Sequence, residues 1–324
     1  MKKIKRLIKK NPLKSTSLLF LLAPIFYFFV KQQTYPPHER VAEINVQLER
    51  SEKLRFFVLG DTGTGDKNQL KVSEWMERRC EKIKKLDGIL MLGDNFYNSG
   101  VDSVDDLQWQ NKIVVPYGRK CLSQAKIYPT LGNHDYKKNP GAQISYTAMS
   151  QNWFMPNRYY SLNYPSLLKI IAFDSIFPDI CFTKNGCSVN FLLSQIFSNN
   201  KLPWTFILSH YPLSSASKKR GNYSGKTFIA KTLKKILCSK PLIWFSGHSH
   251  HLEHRKIKDC KIEMITSGAG GGHLSLIDQN QKESIFVKSS HGFIEVEVDK
   301  NELKMKFFSE SLEPIYEKII TNKK

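Results

Sequence analysis

Cysteine is scarce: six in 324 residues, too few for a fold that relies on disulfides in place of a core. Glycine (18) and proline (14) stay near ordinary usage, which excludes collagen-like and low-complexity chains. Acidic side chains are in short supply, 29 against 49 basic, and the formal net charge is +20. A spanning helix needs roughly 20 apolar residues; the most apolar stretch, Ser15–Val30, has 16. What is present suffices for a globular protein. Apolar residues make up 41% and aromatics 12%, enough to bury a full core and to exclude a disordered chain.

Part of the positive surplus is local. Lys2, Lys3, Lys5, Arg6, Lys9, Lys10, Lys14 and Lys31 fall in the first 31 residues, with no acidic residue among them. They flank Ser15–Val30, a length that suits the apolar segment of an export signal. The positive flank would stay in the cytoplasm and send the rest outward. No small-x-small cleavage site follows, since the chain runs Phe28-Phe29-Val30-Lys31-Gln32. Residues 1–31 are therefore read as an uncleaved signal anchor with the remainder on the extracytoplasmic side, or as a secretion signal if cleaved. A core helix would leave the lysine cluster unexplained.

Export gives the cysteines another meaning, because an oxidising compartment permits disulfides. Cys80, Cys121, Cys181, Cys187, Cys238 and Cys260 allow many pairings, and spacing does not choose among them. Cys181 and Cys187 flank a short turn and could close a small loop. No C-x-x-C pair is present, which argues against a structural zinc finger.

Residues 32–52 read as a polar spacer containing Pro36-Pro37, residues 53–310 as one domain, and residues 311–324 as a charged tail. Short apolar runs predict strands at Leu54–Leu59, Gly88–Leu92, Lys126–Leu131, Leu168–Phe173, Trp204–Ser209, Leu242–Ser246, Ile262–Ser267, Phe293–Val298 and Leu303–Phe308. Asn68–Leu86 carries an imperfect helical stripe through Leu70, Val72, Trp75, Met76, Cys80, Ile83 and Leu86. Val189–Phe197 and Thr227–Leu237 are shorter helix candidates. Helices alternate with strands early and strands crowd late, which predicts an α/β protein with an antiparallel section.

Five of these strands end in polar turns: Gly60-Asp61-Thr62-Gly63, Gly93-Asp94-Asn95-Phe96-Tyr97, Gly132-Asn133-His134-Asp135, Ser209-His210-Tyr211-Pro212 and Gly247-His248-Ser249-His250. Sites in α/β sheets assemble at the carboxyl edge of the strands. One Gly-Asp after a strand is an ordinary turn, but five turns rich in metal-ligand residue types point to a metal site. Asp61, Asp94 and Tyr97 offer hard anionic oxygens, which suit a trivalent ion. Asn133, His210 and His248 offer an amide and imidazoles, which suit a divalent one.

The series GDTG, GDNFY, GNHD, SHYP and GHSH resembles the metallophosphoesterase signature. The tyrosine of GDNFY makes it similar to the purple acid phosphatases. GDNFYNSGV and LGNHDYKKNPGAQISY resemble most the small tartrate-resistant acid phosphatase type. The resemblance implies a four-layer β-sandwich flanked by helices, with two metal ions at the strand ends. It places Fe³⁺ on Asp61, Asp94, Tyr97 and His250, and divalent Fe, Zn or Mn on Asp94, Asn133, His210 and His248, with Asp94 bridging. It implies acid phosphatase activity on phosphate monoesters, by in-line attack of a metal-activated hydroxide. His134 would contact the phosphate and help protonate the leaving alkoxide, and Asp135 would orient the His134 ring or raise its basicity.

The family's further histidine after the HYP turn has no counterpart in Ser217-Lys218-Lys219-Arg220-Gly221. His251 and His254 have no role in the motif and are expected to face solvent or lie behind the ligands. Gly268–Gly272 follows a strand without the Gly-Lys-Ser/Thr ending of a P-loop, so nucleotide cradling there is not expected. A phosphodiesterase on the same ligands is the first alternative, and Tyr97 speaks against it. A non-catalytic basic binder of membrane or nucleic acid is the second; the intact ligand set speaks against it, and the export signal speaks against nucleic acid. No oligomer is expected.

Overall fold

In the computed structural model, the structure describes residues 42–45, 52–176, 188–198, 202–218, 228–278 and 280–322. Among them fourteen strands form two mixed sheets. The first has the order β1 (Ala42–Asn45), β5 (Tyr160–Tyr164), β6 (Leu168–Ala172), β7 (Trp204–Ser209), β8 (Ile243–Ser246), β10 (Glu263–Ser267), β9 (Leu252–Arg255) and β11 (Ser284–Lys288). The second has the order β14 (Tyr316–Thr321), β13 (Glu302–Phe308), β12 (Phe293–Val298), β2 (Leu54–Leu59), β3 (Gly88–Met91) and β4 (Ile127–Pro129). All nine predicted strands are found within two residues of their expected ends.

Strands β2, β3 and β4 run parallel, as do β6, β7, β8 and β10. Parallel strands covered on both faces read as unbroken apolar runs, and Leu90 and Phe206 inside them are fully buried. Carboxyl ends of parallel strands point the same way, so the loops after β2, β3, β4, β7 and β8 gather. Phe56 of β2 meets Tyr164 of β5 edge to face at 5.8 Å, joining the two sheets in one apolar core. A second core lies under helices α3 (Ser188–Ile196) and α4 (Phe228–Leu237), where Leu192, Leu233 and Leu237 pack on Ile171, Ile207 and Trp244.

Helix α1 (Lys67–Ile83) starts where the Asp66 carboxylate accepts the backbone N–H groups of Asn68 and Gln69, a standard cap. It buries Val72, Met76 and Cys80, and its Arg79 donates to Glu295 of β12 at 2.6 Å. Helix α2 (Pro140–Ser145) follows the third site loop. Among the described residues two disulfides join Cys80 to Cys121 and Cys238 to Cys260. Cys181 and Cys187 lie outside the described residues.

Three expectations are corrected. Part of the expected spacer, Ala42–Asn45, forms β1 and pairs in parallel with Tyr160–Asn163. Pairing at a sheet edge is made by main chain, which leaves no apolar pattern to read. The expected charged tail contains β14, which pairs antiparallel with β13 from Tyr316 to Thr321; its side chains alternate between half-buried and exposed, so charge and strand coexist. Of the two settings expected for His251 and His254, the solvent-facing one is ruled out, since both are fully buried. His251 Nε2 lies 2.9 Å from Glu253, and His254 is held by Glu263 at 2.8 Å and the Tyr316 hydroxyl at 2.7 Å. Each ring enters the interior with a hydrogen-bond partner.

No helix among the described residues is long and apolar enough to cross a membrane. Ser15–Val30, the expected anchor, lies outside them.

Candidate metal centre

Three of the five site loops leave their strands with a backbone that few residues tolerate. Asp61, Asp94 and His248 sit at φ 57°, 53° and 63°, a left-handed region that persists only where the surroundings fix it. The fixing contacts are visible: Asp61 N–H donates to Gly93 O at 2.9 Å, and His248 N–H donates to Asp61 Oδ2 at 2.7 Å. Gly93, at φ +84°, could carry no side chain. A Cβ there would lie 2.7 Å from Gly132 N and 2.8 Å from His210 Nδ1.

Ligand-type atoms of Asp61, Asp94 and His210 all lie within 4.8 Å of one another, and all three residues are buried. His210 Nδ1 donates to Leu92 O at 2.8 Å, which turns Nε2 inward to 3.1 Å from Asn133 Oδ1 and 3.5 Å from Asp94 Oδ1. In the same way, His250 Nδ1 donates to His273 O at 2.6 Å. Its Nε2 is then 2.9 Å from Asp61 Oδ1 and 2.9 Å from the Tyr97 hydroxyl, which itself donates to Asp61 Oδ1 at 2.9 Å. The His248 ring lies 5.1 Å from that of His210. One group of contacts thus joins Asp61, Tyr97 and His250, and another joins Asp94, Asn133 and His210. A backbone carbonyl on the rear nitrogen fixes each ring and turns the other nitrogen toward the carboxylates, where a cation would sit.

The charges are out of balance without one. Asp94 Oδ1 accepts His134 N–H at 2.8 Å, but the buried Asp94 Oδ2 has no hydrogen-bond partner among the described residues. Burial acts to raise Asp61, yet His250, with His210 and His248, holds it well below the usual carboxylate range. Burial, then Asp61 and Asp94, pushes the Tyr97 phenol well above its ordinary value. An orphaned carboxylate oxygen, converging imidazoles and a phenol crowded by carboxylates are what a cation would resolve. These residues fit a metal centre.

His134 is part-exposed at the rim, its ring 4.6 Å from that of Tyr97. Its Nδ1 lies 2.7 Å from Asn98 O and 2.9 Å from the ammonium of Lys137, a cation that motif reading did not single out. Asp135 makes no hydrogen bond to the His134 ring, contrary to expectation. It is fully buried and accepts the N–H groups of Gly132 at 2.7 Å, Asn95 at 3.2 Å and Phe96 at 3.1 Å. It therefore ties the Asp94 loop to the Asn133 loop. Burial and Asp94 raise it to about 7. Ser175 was also not foreseen; its hydroxyl accepts the N–H groups of His210 at 3.1 Å and Tyr211 at 2.9 Å. Its only sequence signal was its place after a strand.

Residues 54–252 match the family model described as Calcineurin-like phosphoesterase, and the chain belongs to that family. Within it the chain is similar to Purple acid phosphatase 3 of Arabidopsis thaliana, 28% identical over 312 residues that cover 88% of this chain and 83% of that protein. It is also similar to Tartrate-resistant acid phosphatase type 5 of Homo sapiens, 27% identical over 67% of this chain and 73% of that one. Two solved structures share the fold. GAP50, the anchor in the inner membrane complex of Plasmodium, superposes with a TM-score of 0.72 at 23% identity over 84% of this chain and 90% of that chain. The purple acid phosphatase PPD1 of Lupinus luteus gives 0.66 at 17% identity over 84% and 54%.

Proposed function

We propose that the protein is a dinuclear metal-dependent acid phosphatase that hydrolyses phosphate monoesters. The observation that carries this is the convergence of Asp61, Asp94 and His210, with Tyr97, Asn133, His248 and His250 around them. Asp61, Asp94, Tyr97 and His250 would hold Fe³⁺, and Asp94, Asn133, His210 and His248 would hold divalent Fe, Zn or Mn, with Asp94 common to both. Its orphaned Oδ2 supports that sharing. Bound ions supply the Lewis acidity that activates water and offsets charge on the phosphoryl group.

The chain's own residues do the rest. Lys137 places positive charge at the rim beside His134, where a phosphate dianion enters. With Nδ1 committed to Asn98 O, His134 presents Nε2 to the ester oxygen, and a protonated ring can donate there. Asp135 and Ser175 hold the loops that carry the ligands. The catalytic domain is proposed to be exported, anchored by residues 1–31 or secreted if they are cleaved. The disulfides Cys80–Cys121 and Cys238–Cys260 support an oxidising compartment.

The test is hydrolysis of p-nitrophenyl phosphate against its bis-ester by the purified full-length protein, with metal content measured alongside. Two metals per chain and a strong preference for the monoester are expected. A preference for the diester would overturn the proposal in favour of a phosphodiesterase, and turnover undiminished by complete metal removal would overturn the metal centre.

A further inference from the structure

We infer that the substrates of this site are phosphate esters with an apolar leaving group, received by a cavity that shares a wall with the metal centre. The inference rests on the phosphatase reading and goes on to name the substrate class. The cavity measures about 210 Å³ and lies where the carboxyl ends of β6 and β7 meet helix α4. Phe173, Trp244, Ala230 and Leu233 line it, and Ser175 and Tyr211 are its polar residues.

Two contacts tie this cavity to the reacting centre. The Tyr211 ring lies 4.7 Å from the ring of His248. Ser175 accepts the backbone N–H groups of both His210 and Tyr211. An ester whose phosphate sits against His210 and His248 therefore has its leaving group one side chain from the cavity.

The lining selects the chemistry. Ser175 Oγ is already taken up by two backbone donors, and the Trp244 Nε1–H donates to Ser209 Oγ at 2.8 Å. Among the described residues no Asp, Glu, Lys, Arg or His lines the space. A sugar or glycerol leaving group would give up more water there than the Tyr211 hydroxyl could replace. An alkyl or aryl group has nothing to give up and gains by leaving water. Selectivity from such a pocket is graded, set by the number of carbons buried.

The experiment is a series of n-alkyl phosphates from methyl to octyl, with glycerol 3-phosphate as polar comparator, on the metal-loaded full-length protein. kcat/KM is expected to rise roughly threefold to fourfold per methylene over the first several carbons and then level off. Glycerol 3-phosphate should fall well below butyl phosphate. Ala230→Phe, which fills the cavity, should lower the hexyl-to-methyl ratio at least tenfold. Leu233→Ala, which enlarges it, should carry the rise to longer chains, so a folding failure in one variant leaves the other. Inhibition by hexylphosphonate relative to methylphosphonate should follow the same ratios without turnover. A flat series with good turnover, or a rise that neither variant alters, would overturn this inference and leave the phosphatase reading intact. No turnover of any monoester would remove both.

Discussion

Replacing Asp135 by Asn keeps the side-chain shape and exchanges one carboxylate oxygen for an amide NH₂. In the native loop Oδ2 accepts from Gly132 and Asn95, and Oδ1 accepts from Phe96. The amide can turn its oxygen toward the first two, but its NH₂ then faces the Phe96 N–H, donor against donor. One stranded buried donor costs about 1–3 kcal/mol, and loss of charge assistance on the other two adds to it. A total of about 2–4 kcal/mol is expected. Burial and Asp94 lift Asp135 to about 7, so at pH 8, where the carboxylate is ionised, a neutral Asn also relieves repulsion and acts the other way. Bound metal offsets the Asp94 charge, and the comparison belongs at pH 8 on the metal-loaded protein. Urea unfolding followed by tryptophan fluorescence measures the change. Since this residue joins the loops of Asp94 and Asn133, bound metal should fall as well. If Asp135→Asn left stability within about 0.5 kcal/mol and metal content intact but shifted the pH–rate profile, Asp135 would be acting on His134 and the tie would be wrong.

Gly93→Ala forces a Cβ to within 2.8 Å of His210 Nδ1 at a φ of +84°, so the ring must leave Leu92 O. Metal content should drop below two per chain, with stability lower by about 1–3 kcal/mol; unchanged metal binding would refute the crowding argument. Glu253 gives a pH prediction. Burial opposes its ionisation, but His251, Ser284 and the Ala216 N–H hold it down from 4.5 to about 2. Its folded value lies below the unfolded one, so its contribution is complete above pH 4.5 and is lost as pH falls toward 2. The shift corresponds to about 3 kcal/mol. Glu253→Gln should remove that share of the acid-side slope in urea midpoints measured from pH 5 to pH 2.5, and an unaltered slope would contradict it.

Much of this was legible because parallel strands buried on both faces leave apolar runs with few breaks, as in LRFFVL and WTFILS. Their shared direction turns five sequence turns into one spatial cluster. The missed strands fail that signal for identifiable reasons. Strand β9 reads Leu-Glu-His-Arg because its polar side chains are buried in pairs, Glu253 with His251 and Arg255, and His254 with Glu263. Strand β5 buries Ser161 and Asn163, and β14 hides a strand under alternating charge. Within the site, metal-ligand residue types announce themselves. Asp135 was legible as important but not in what it holds, because its partners are backbone N–H groups common to every sequence. The cavity was illegible altogether, being assembled from Phe173, Tyr211, Leu233 and Trp244 across three strand ends and a helix.

The proposed Fe³⁺ on Tyr97 would show itself in the visible absorption spectrum of the full-length protein as isolated, read beside that of Tyr97→Phe. A broad tyrosinate-to-Fe³⁺ charge-transfer band that gives a pink or purple colour is expected, with its loss in the variant and the circular dichroism unchanged. A colourless wild-type protein holding two divalent ions, or a variant that kept the band, would contradict it.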